Sequence, residues 1–346
     1  MKLLSGVARK VAYRYASTGT GSMLCTKLTH RSLLRVRGRE ALQFLQGIVT
    51  NDTRLLAKSN EQRPPALFSM MLNTQGRLLY DLILYVRDGE QSGDEEEVLI
   101  ECDRSVLPEV TKQLVFYRLR RKLELQPCDK ELSVYALFSK PPVAQAPIPK
   151  MEPGRPLVIC SDPRVSQLGL RVVVKAEEDA VEMFQAKEVG EEEYHALRYS
   201  LGIGEGCGDM PPGAAFPLEA NGDYMNGISF HKGCYVGQEL TARTHHTGVV
   251  RKRLMPLQFD TDASEVRINA KIVDEKGAMV GKFRRAVGGY GLGLLYVSQA
   301  LAAKTIYVQQ EDGEALACRT EKPAWWVSDT SLNGEVRGLH VKGGDA

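Results

Sequence analysis

The sequence predicts an α+β fold followed by a small all-β unit read as a barrel. Three observations carry that reading. Over the first two-thirds of the chain, short strand-like apolar runs alternate with helical periodicities, joined by hairpin turns as well as crossovers. Beyond about Val249, short β-prone runs follow one another between Gly and Asp-Gly turns. At 346 residues, with 43% hydrophobic and 25% charged side chains, the chain has a globular composition and the length for two or three domains. No apolar run approaches the roughly 18 residues of a membrane span. A net charge of +2 carries no argument for a polyanion, so neither a membrane span nor a nucleic-acid partner is expected.

In order along the chain, "GREALQFLQG" (38–47) carries Leu42, Phe44 and Leu45 at helical spacing, with Gly47 placed to end the helix. "LFSMML" (67–72) and "RLLYDLILYVRDG" (77–89) read as strands joined by the turn "NTQG" (73–76). "SGDEEE" (92–97) reads as a solvated hairpin loop, and "VLIEC" (98–102) continues the sheet. "VLPEVTKQLVFYRL" (106–119) is helical and "KLELQ" (122–126) a strand. Six prolines make 139–156 a linker. "LVIC" (157–160) and "LGLRVVVK" (168–175) are strands, and "EEDAVEMFQAKEV" (177–189) and "EEEYHALRYSLG" (191–202) are helices. "VDEKGAMVGKFRRAVGGYGLGLLYV" (273–297) and "KTIYVQQEDGEALACRT" (304–320) carry the barrel pattern. Trp325 and Trp326 are expected in its core with one edge contact. The domain limits are therefore 24–248 and 249–346.

The N-terminus has its own character. From Met1 to Arg39 there is no Asp or Glu, while nine Lys and Arg residues supply positive charge, Arg31, Arg35 and Arg37 among them. Leu4, Val7, Val11 and Tyr15 fall on one side of a helix, and "ASTGTGS" follows. A basic, acid-free, amphipathic segment of this kind predicts a mitochondrial presequence over 1–23 and a matrix location.

The seven cysteines form no Cys-x-x-Cys pair, so no zinc ribbon or self-contained ferredoxin-type cluster is written here. Cys234 lies in "HKGCYVGQEL" (231–240), among charge, glycine and amide groups. Gly233 and Gly237 permit tight turns that expose a thiol. Lys232, His231 and Arg243 are candidate cations to favour its thiolate, and Gln238 and Glu239 add hydrogen-bonding groups. Composition leaves a functional thiol and a structural cysteine both open. A cysteine hydrolase would need a histidine base with an orienting group, and none is written beside His231. "LGIGEGCGDMPPGAAFP" (201–217) follows a helix instead of opening one, so it reads as a flexible loop over a cleft and not as a phosphate cradle. "THHTG" (244–248), read as strand, sends His245 and His246 to opposite sides, partly exposed.

"KGCYVGQE" (232–239) resembles the signature of the YgfZ family, relatives of the folate-binding aminomethyltransferases of glycine cleavage. "FLQGIVTND" (44–52), "LNTQGRLLYD" (72–81), "FPLEANGDYMN" (216–226) and "GISFHKGCYVGQELTAR" (227–243) fit it too, in the family's order. The resemblance implies two interleaved ferredoxin-like α/β domains and a C-terminal β-barrel around a central channel. With the presequence, it points to the family's mitochondrial iron–sulfur cluster assembly branch. That branch implies late action in making 4Fe–4S proteins with A-type scaffold partners, client apoproteins, an effect on haem synthesis and weak catalysis or none. The cofactor is then an iron–sulfur cluster shared with the partner, with Cys234 as its ligand. The alternative is a tetrahydrofolate-dependent one-carbon transferase whose pocket would use Asn73, Arg77, Asp81 and Asn226. The strand carrying two consecutive aspartates in the transferases reads Tyr80-Asp81 here. Asp81 is left to bind a ligand or to pair with a nearby cation such as Arg77.

Overall fold

The computed structural model describes residues 23–86, 95–142, 148, 157–311 and 313–326. The expected presequence, Met23 apart, lies outside these residues, as do 92–94 of the acidic stretch and most of the proline-rich linker.

Strands are numbered in chain order. The first sheet runs β10 (Lys187–Glu188), β1 (Leu24–Lys27), β7 (Leu132–Phe138), β9 (Leu170–Lys175), β8 (Val158–Ser161), antiparallel except for the β10–β1 pair. The second is wholly antiparallel, in the order β3 (Ala66–Leu72), β4 (Leu78–Val86), β5 (Glu96–Asp103), β2 (Arg31–Gly38), β6 (Glu124–Pro127). The chain therefore leaves the first sheet after β1, builds the whole second sheet, and returns, which is the interleaving implied by the resemblance. A closed barrel follows: β11 (Lys252–Phe259), β14 (Tyr290–Tyr296), β13 (Met279–Val287), β12 (Lys271–Asp274), β15 (Ile306–Gln309) and β16 (Ala315–Arg319). Among the described residues, no helix is long and apolar enough to cross a membrane.

Helices α1 (Ala41–Gln46) and α2 (Leu107–Arg118) cover the outer face of the second sheet, and α3 (Ala180–Phe184) that of the first. The inner faces share one core, where Phe68, Met70 and Tyr85 meet Val134, Phe138 and Val173 with the barrel's Leu254 and Leu292. Covered on both faces, β3 and β7 bury every residue, which is why β3 reads as a nearly continuous apolar run without alternation. Helix α4 (Glu191–Ser200) and the short α5 (Gly206–Asp209) pack between sheets and barrel, α6 (Gln238–Thr247) leads to the barrel, and α7 (Val297–Ala302) sits on it.

Several elements differ from the sequence reading. The helix expected over 177–189 is only α3, because Gln185 turns left-handed (φ 50°) and Lys187–Glu188 then pairs with β1. Glu96 and Glu97 open β5 opposite Gly38 and Arg37 instead of lying in a loop. His245 and His246 lie on α6, not on a strand. The glycine-rich 201–217 is no flexible loop: a Cβ on Gly202, Gly204 or Gly206 would strike Pro256, Leu254 or Asp103, so these glycines let three units close together. Strands β1, β2 and β7 were not evident from the sequence pattern.

Where the three units meet, charge is buried. Arg31, Arg164, Arg171 and Arg198 are each at most 4% exposed, beside Asp81, Glu101, Asp162, Glu205 and Asp209 at 5% or less. Arg31 spans Glu101 at 2.7 Å and Asp81 at 3.1 Å. Arg171 of β9 pairs with Glu205, lies 3.2 Å from Asp162 and 3.7 Å from Glu101 of the other sheet. Arg164 reaches Asp162 and Glu205, each at 2.7 Å, and Arg198 reaches Asp209 at 2.7 Å. Tyr85 donates to Glu101 and Tyr194 to Glu205.

His30 joins this network to α4, with Nε2 2.7 Å from Glu205 and Nδ1 3.5 Å from Glu191. Burial alone would lower its pKa, but the hydrogen bonds to Glu191 and Glu205 prevail and raise it above 6.5. Burial pushes Glu191 up, and its bonds to His30 and Thr29 outweigh that, holding it at about 2. The His30 contribution is complete below its ordinary 6.5 and fades as pH rises through the raised value. The Glu191 contribution is complete above its ordinary 4.5 and fades as pH falls toward 2. In urea melts across pH, His30→Gln should lose most stability relative to wild type between pH 4.5 and 6.5, with the gap narrowing on either side. Parallel stability curves would contradict this assignment.

Candidate functional site

Residues 46–52 run beside β3, bridged at Val49 to Met71 and bonded from Thr50 N to Met70 O at 2.9 Å. On this segment rests the loop that carries Cys234. Ser229 N donates to Thr50 O at 3.0 Å, and Val236 N to Gly47 O at 3.2 Å. Thr50 Oγ1 donates to Gly227 O at 2.6 Å, and Asn51 Nδ2 to Phe68 O and Asn226 O at 2.7 and 2.6 Å. The two motifs are thus two halves of one structure.

Lys232 completes the seat. Its ammonium donates to Val49 O and Asn51 O, both at 2.7 Å, and lies 5.0 Å from the Tyr235 ring centroid. The charge expected to favour the thiolate is therefore bonded to main-chain carbonyls, and it pins the loop. Burial lowers its pKa to about 8. Gln238 accepts from Tyr235 N at 3.2 Å, closing the turn after the cysteine, while Glu239, Arg243 and His231 are exposed.

The two glycines separate. Gly237 starts α6 at φ 75°, and a Cβ there would lie 2.2 Å from Asn73 O and 3.2 Å from the Gly76 Cα. Gly76 faces it in turn, with its own Cβ position 2.9 Å from Gly237 O. The "NTQG" turn and the cysteine loop meet backbone to backbone at this point. Gly233 lies in open space with no left-handed requirement, so it shapes no tight turn.

All seven cysteines are described, and Cys234 alone is exposed. Burial pushes the thiols of Cys25, Cys102 and Cys318 up to about 12, and raises those of Cys128 and Cys160. Cys207, half-buried, also rises to about 12, through burial and then Asp103. Six thiols are held protonated, and one reaches solvent.

The four residues assigned to a possible folate pocket face different neighbours. Asn73 Oδ1 accepts from Gln75 N and Arg77 N within the turn, and Arg77 stacks over Phe216 at 4.6 Å. Asn226 is exposed and left-handed (φ 52°). Asp81 is buried, and its cation is Arg31, not Arg77. Its other oxygen accepts from Gly206 N at 3.0 Å.

Two adjoining open clefts, of about 940 and 400 Å3, flank α6 and share Leu218, Thr244, Val249, Val250, Arg251 and Tyr296. His245 and His246 both line the larger one, and His245 stacks on Phe230 with ring centroids 3.6 Å apart. Arg253 anchors the floor, paired with Asp223 at 2.8 Å and lying 3.9 Å over Tyr224. Trp326 belongs to the barrel core, while Trp325 Nε1 donates to Leu201 O at 2.8 Å.

Among the described residues, His30, Glu191 and His195 place one ligand atom each within 4.8 Å of the others, close enough for a metal ion. Their protons argue against that use. His30 bridges two glutamates, and His195 Nδ1 lies 2.7 Å from the Arg198 guanidinium, which can only donate. The pattern is a charge clasp. The sequence reading missed this clasp and the buried network, because no local spacing marks them.

Comparison with known proteins agrees with the architecture. Residues 251–328 match the family described as CAF17, C-terminal beta-barrel domain. The chain is 39% identical over 318 residues to the human "Iron-sulfur cluster assembly factor IBA57, mitochondrial", covering 89% of this chain and 87% of that protein. It is 40% identical over 311 residues to the mouse protein of that name, covering 87% and 85%. The homologue from Mycosarcoma maydis is 32% identical over 349 residues, covering 88% and 85%. Among solved structures, glycine cleavage system aminomethyltransferase T from Bartonella henselae superposes with a TM-score of 0.65 over 88% of this chain and 86% of that one. At 15% identity this shows a shared fold alone.

The loop geometry sets an expectation for thermal melts and limited proteolysis. Gly237→Ala should cost about 2–5 kcal/mol, from the left-handed backbone and the clash together. Gly233→Ala should stay within about 0.5 kcal/mol of wild type.

Proposed function

The chain belongs to the mitochondrial iron–sulfur cluster assembly factors of the IBA57 family, and from that membership we propose that Cys234 is its cluster ligand. On this reading the protein works in the matrix, late in the maturation of 4Fe–4S proteins, on a cluster held jointly with an A-type scaffold protein and passed to client apoproteins. Haem synthesis would feel its loss downstream.

The observation that carries the proposal is the division of the thiols. An iron–sulfur cluster takes about four protein ligands, most often thiolates. Here one cysteine is exposed and six are buried or half-buried. Such a chain cannot cage a cluster alone, but it can complete one whose remaining ligands come from a partner. A soft thiolate is the right donor for iron in that role. The loop is held at both ends, by Lys232 on one side and by Gly237 against Gly76 on the other. The sulfur is therefore presented from a fixed backbone, which lowers the ordering cost of forming a joint site.

The tetrahydrofolate-dependent transferase asks for a carboxylate on β4 that is free to meet a substrate. Asp81 already engages Arg31 and Gly206 with its two oxygens. The cluster reading makes no such demand.

The test mixes the purified chain with a cluster-loaded A-type scaffold protein and follows visible circular dichroism together with co-elution. Wild type should form a complex with an altered cluster spectrum. Cys234→Ala should weaken cluster retention by more than about tenfold, since even contacts that merely support a ligand change metal affinity by about 10–100-fold. Cys207→Ala should behave as wild type. Retention by Cys234→Ala equal to wild type would sink the ligand assignment.

A further inference from the structure

Helix α2 buries Leu107, Val110 and Leu114 against the second sheet. Its opposite side follows the same helical spacing in reverse. Lys112, Val115, Phe116 and Leu119 stand at i, i+3, i+4 and i+7, so they form one row. Val115 is 46% exposed, Phe116 73% and Leu119 79%. A Phe and a Leu that are so bare, side by side, are unusual on a soluble surface. The backbone adds a second oddity. Leu119 closes the helix at φ 51° and ψ −116°, a conformation that non-glycine residues seldom adopt, and it thrusts its side chain outward.

Cations flank the apolar tip along the chain. Lys112, Arg120 and Lys122 are exposed, Arg118 donates to Leu123 O at 3.1 Å, and Arg121 lies 4.0 Å from Glu40. An open recess of about 520 Å3 beside the tip is lined by Glu40, Leu119, Arg120 and Arg121. Along the chain five cations thus flank three bare apolar side chains, against Glu40, Glu109 and Glu124 as the acidic residues nearby.

We propose that this end of α2 is a peripheral contact for an anionic lipid bilayer. Val115, Phe116 and Leu119 enter the interfacial layer, and Arg120, Arg121 and Lys122 meet lipid phosphates. The size of the patch favours lipid over protein. A stable protein interface takes roughly 800 Å2 from each partner, more than three side chains on a convex helix end provide. An amphipathic surface that combines Phe and Leu with Lys and Arg is what interfacial binding uses, and it needs no matching groove. The contact is reversible and sensitive to salt, because part of its attraction is between exposed charges. It lies on the outer face of the second sheet, among the side chains of α1 and α2 and apart from the barrel core. A membrane-bound molecule therefore keeps the barrel free.

The test uses the full chain in co-sedimentation with vesicles of phosphatidylcholine alone and of phosphatidylcholine with phosphatidylglycerol in equal parts. Wild type should partition onto the anionic vesicles only, less so as salt rises. The double variant Phe116→Glu with Leu119→Glu should lower that partition by about tenfold or more. Its melt and far-ultraviolet circular dichroism should match wild type, because both side chains are exposed. Both proteins carry the same basic N-terminal segment, so its attraction to lipid cancels in the comparison. Separately, the added emission of Phe116→Trp, over the Trp325 and Trp326 background, should shift to the blue on anionic vesicles and be quenched by brominated acyl chains. Equal partition of the double variant, or a Phe116→Trp emission that vesicles leave unchanged, overturns the proposal. If that emission is unmoved by lipid while the double variant loses capture of an acidic protein, the surface is a protein interface.

Discussion

Arg31, Arg164, Arg171 and Arg198 are out of reach of water, and each stays charged only where carboxylates from neighbouring elements surround it. Arg31 of β2 needs Glu101 of β5 and Asp81 of β4. Arg171 of β9 needs Asp162 from its own sheet and Glu205 from the segment leading to α5. The second sheet pairs its own Arg31, but the first cannot satisfy Arg171 without the segments around it. Desolvating such groups is costly, and buried pairs are weak sources of net stability. What they supply is registry: a slipped sheet or a displaced α4 would leave a guanidinium unpaired in the interior, which is strongly destabilising.

That registry reaches the surface at the cysteine loop. Residues 46–52 are held against β3, and β3 has its place because the second sheet is locked to the first. The loop inherits this order through main-chain bonds and one lysine, with few contacts from its own side chains. A thiol can therefore be exposed and still have a defined position. The same rigid core explains why the other cysteines are inert, since most of them face apolar interiors on the strands that build it.

Much of the fold is legible in the chain because its cues are local. The "NTQG" turn, the strands either side of it, the spacing of α2 and α4, and the Gly-punctuated barrel all declare themselves within a dozen residues. Strand β2 does not. Its Arg31, Arg35 and Arg37 read as part of a basic N-terminal stretch, yet they pair with Glu101, Glu131 and Glu95, which lie 58 to 96 positions away. The site divides in the same way. Flanking glycine and charge suggest that Cys234 is exposed. That Gly237 is obligatory and Gly233 dispensable depends on Asn73 and Gly76, and the carbonyls that claim Lys232 belong to Val49 and Asn51. Periodicity within 231–240 carries no information about any of these.

The interleaved topology also sets a timetable. Every strand of the second sheet lies between Arg31 and Pro127, so that sheet can close on itself early. Strand β1 precedes it in the chain but pairs with β7 and β10, Leu24 lying opposite Phe138 and Lys187. In a chain that emerges N-terminus first, from a ribosome or through a translocation pore, β1 arrives before all its partners. It must wait unpaired until β7 begins at Leu132, and its other edge stays bare until β10 at Lys187. Contacts of such long sequence separation form slowly and leave strand edges bare in the interim. The first strand made is thus the one that waits longest for its partners, and chaperones have most to shield at that end of the molecule.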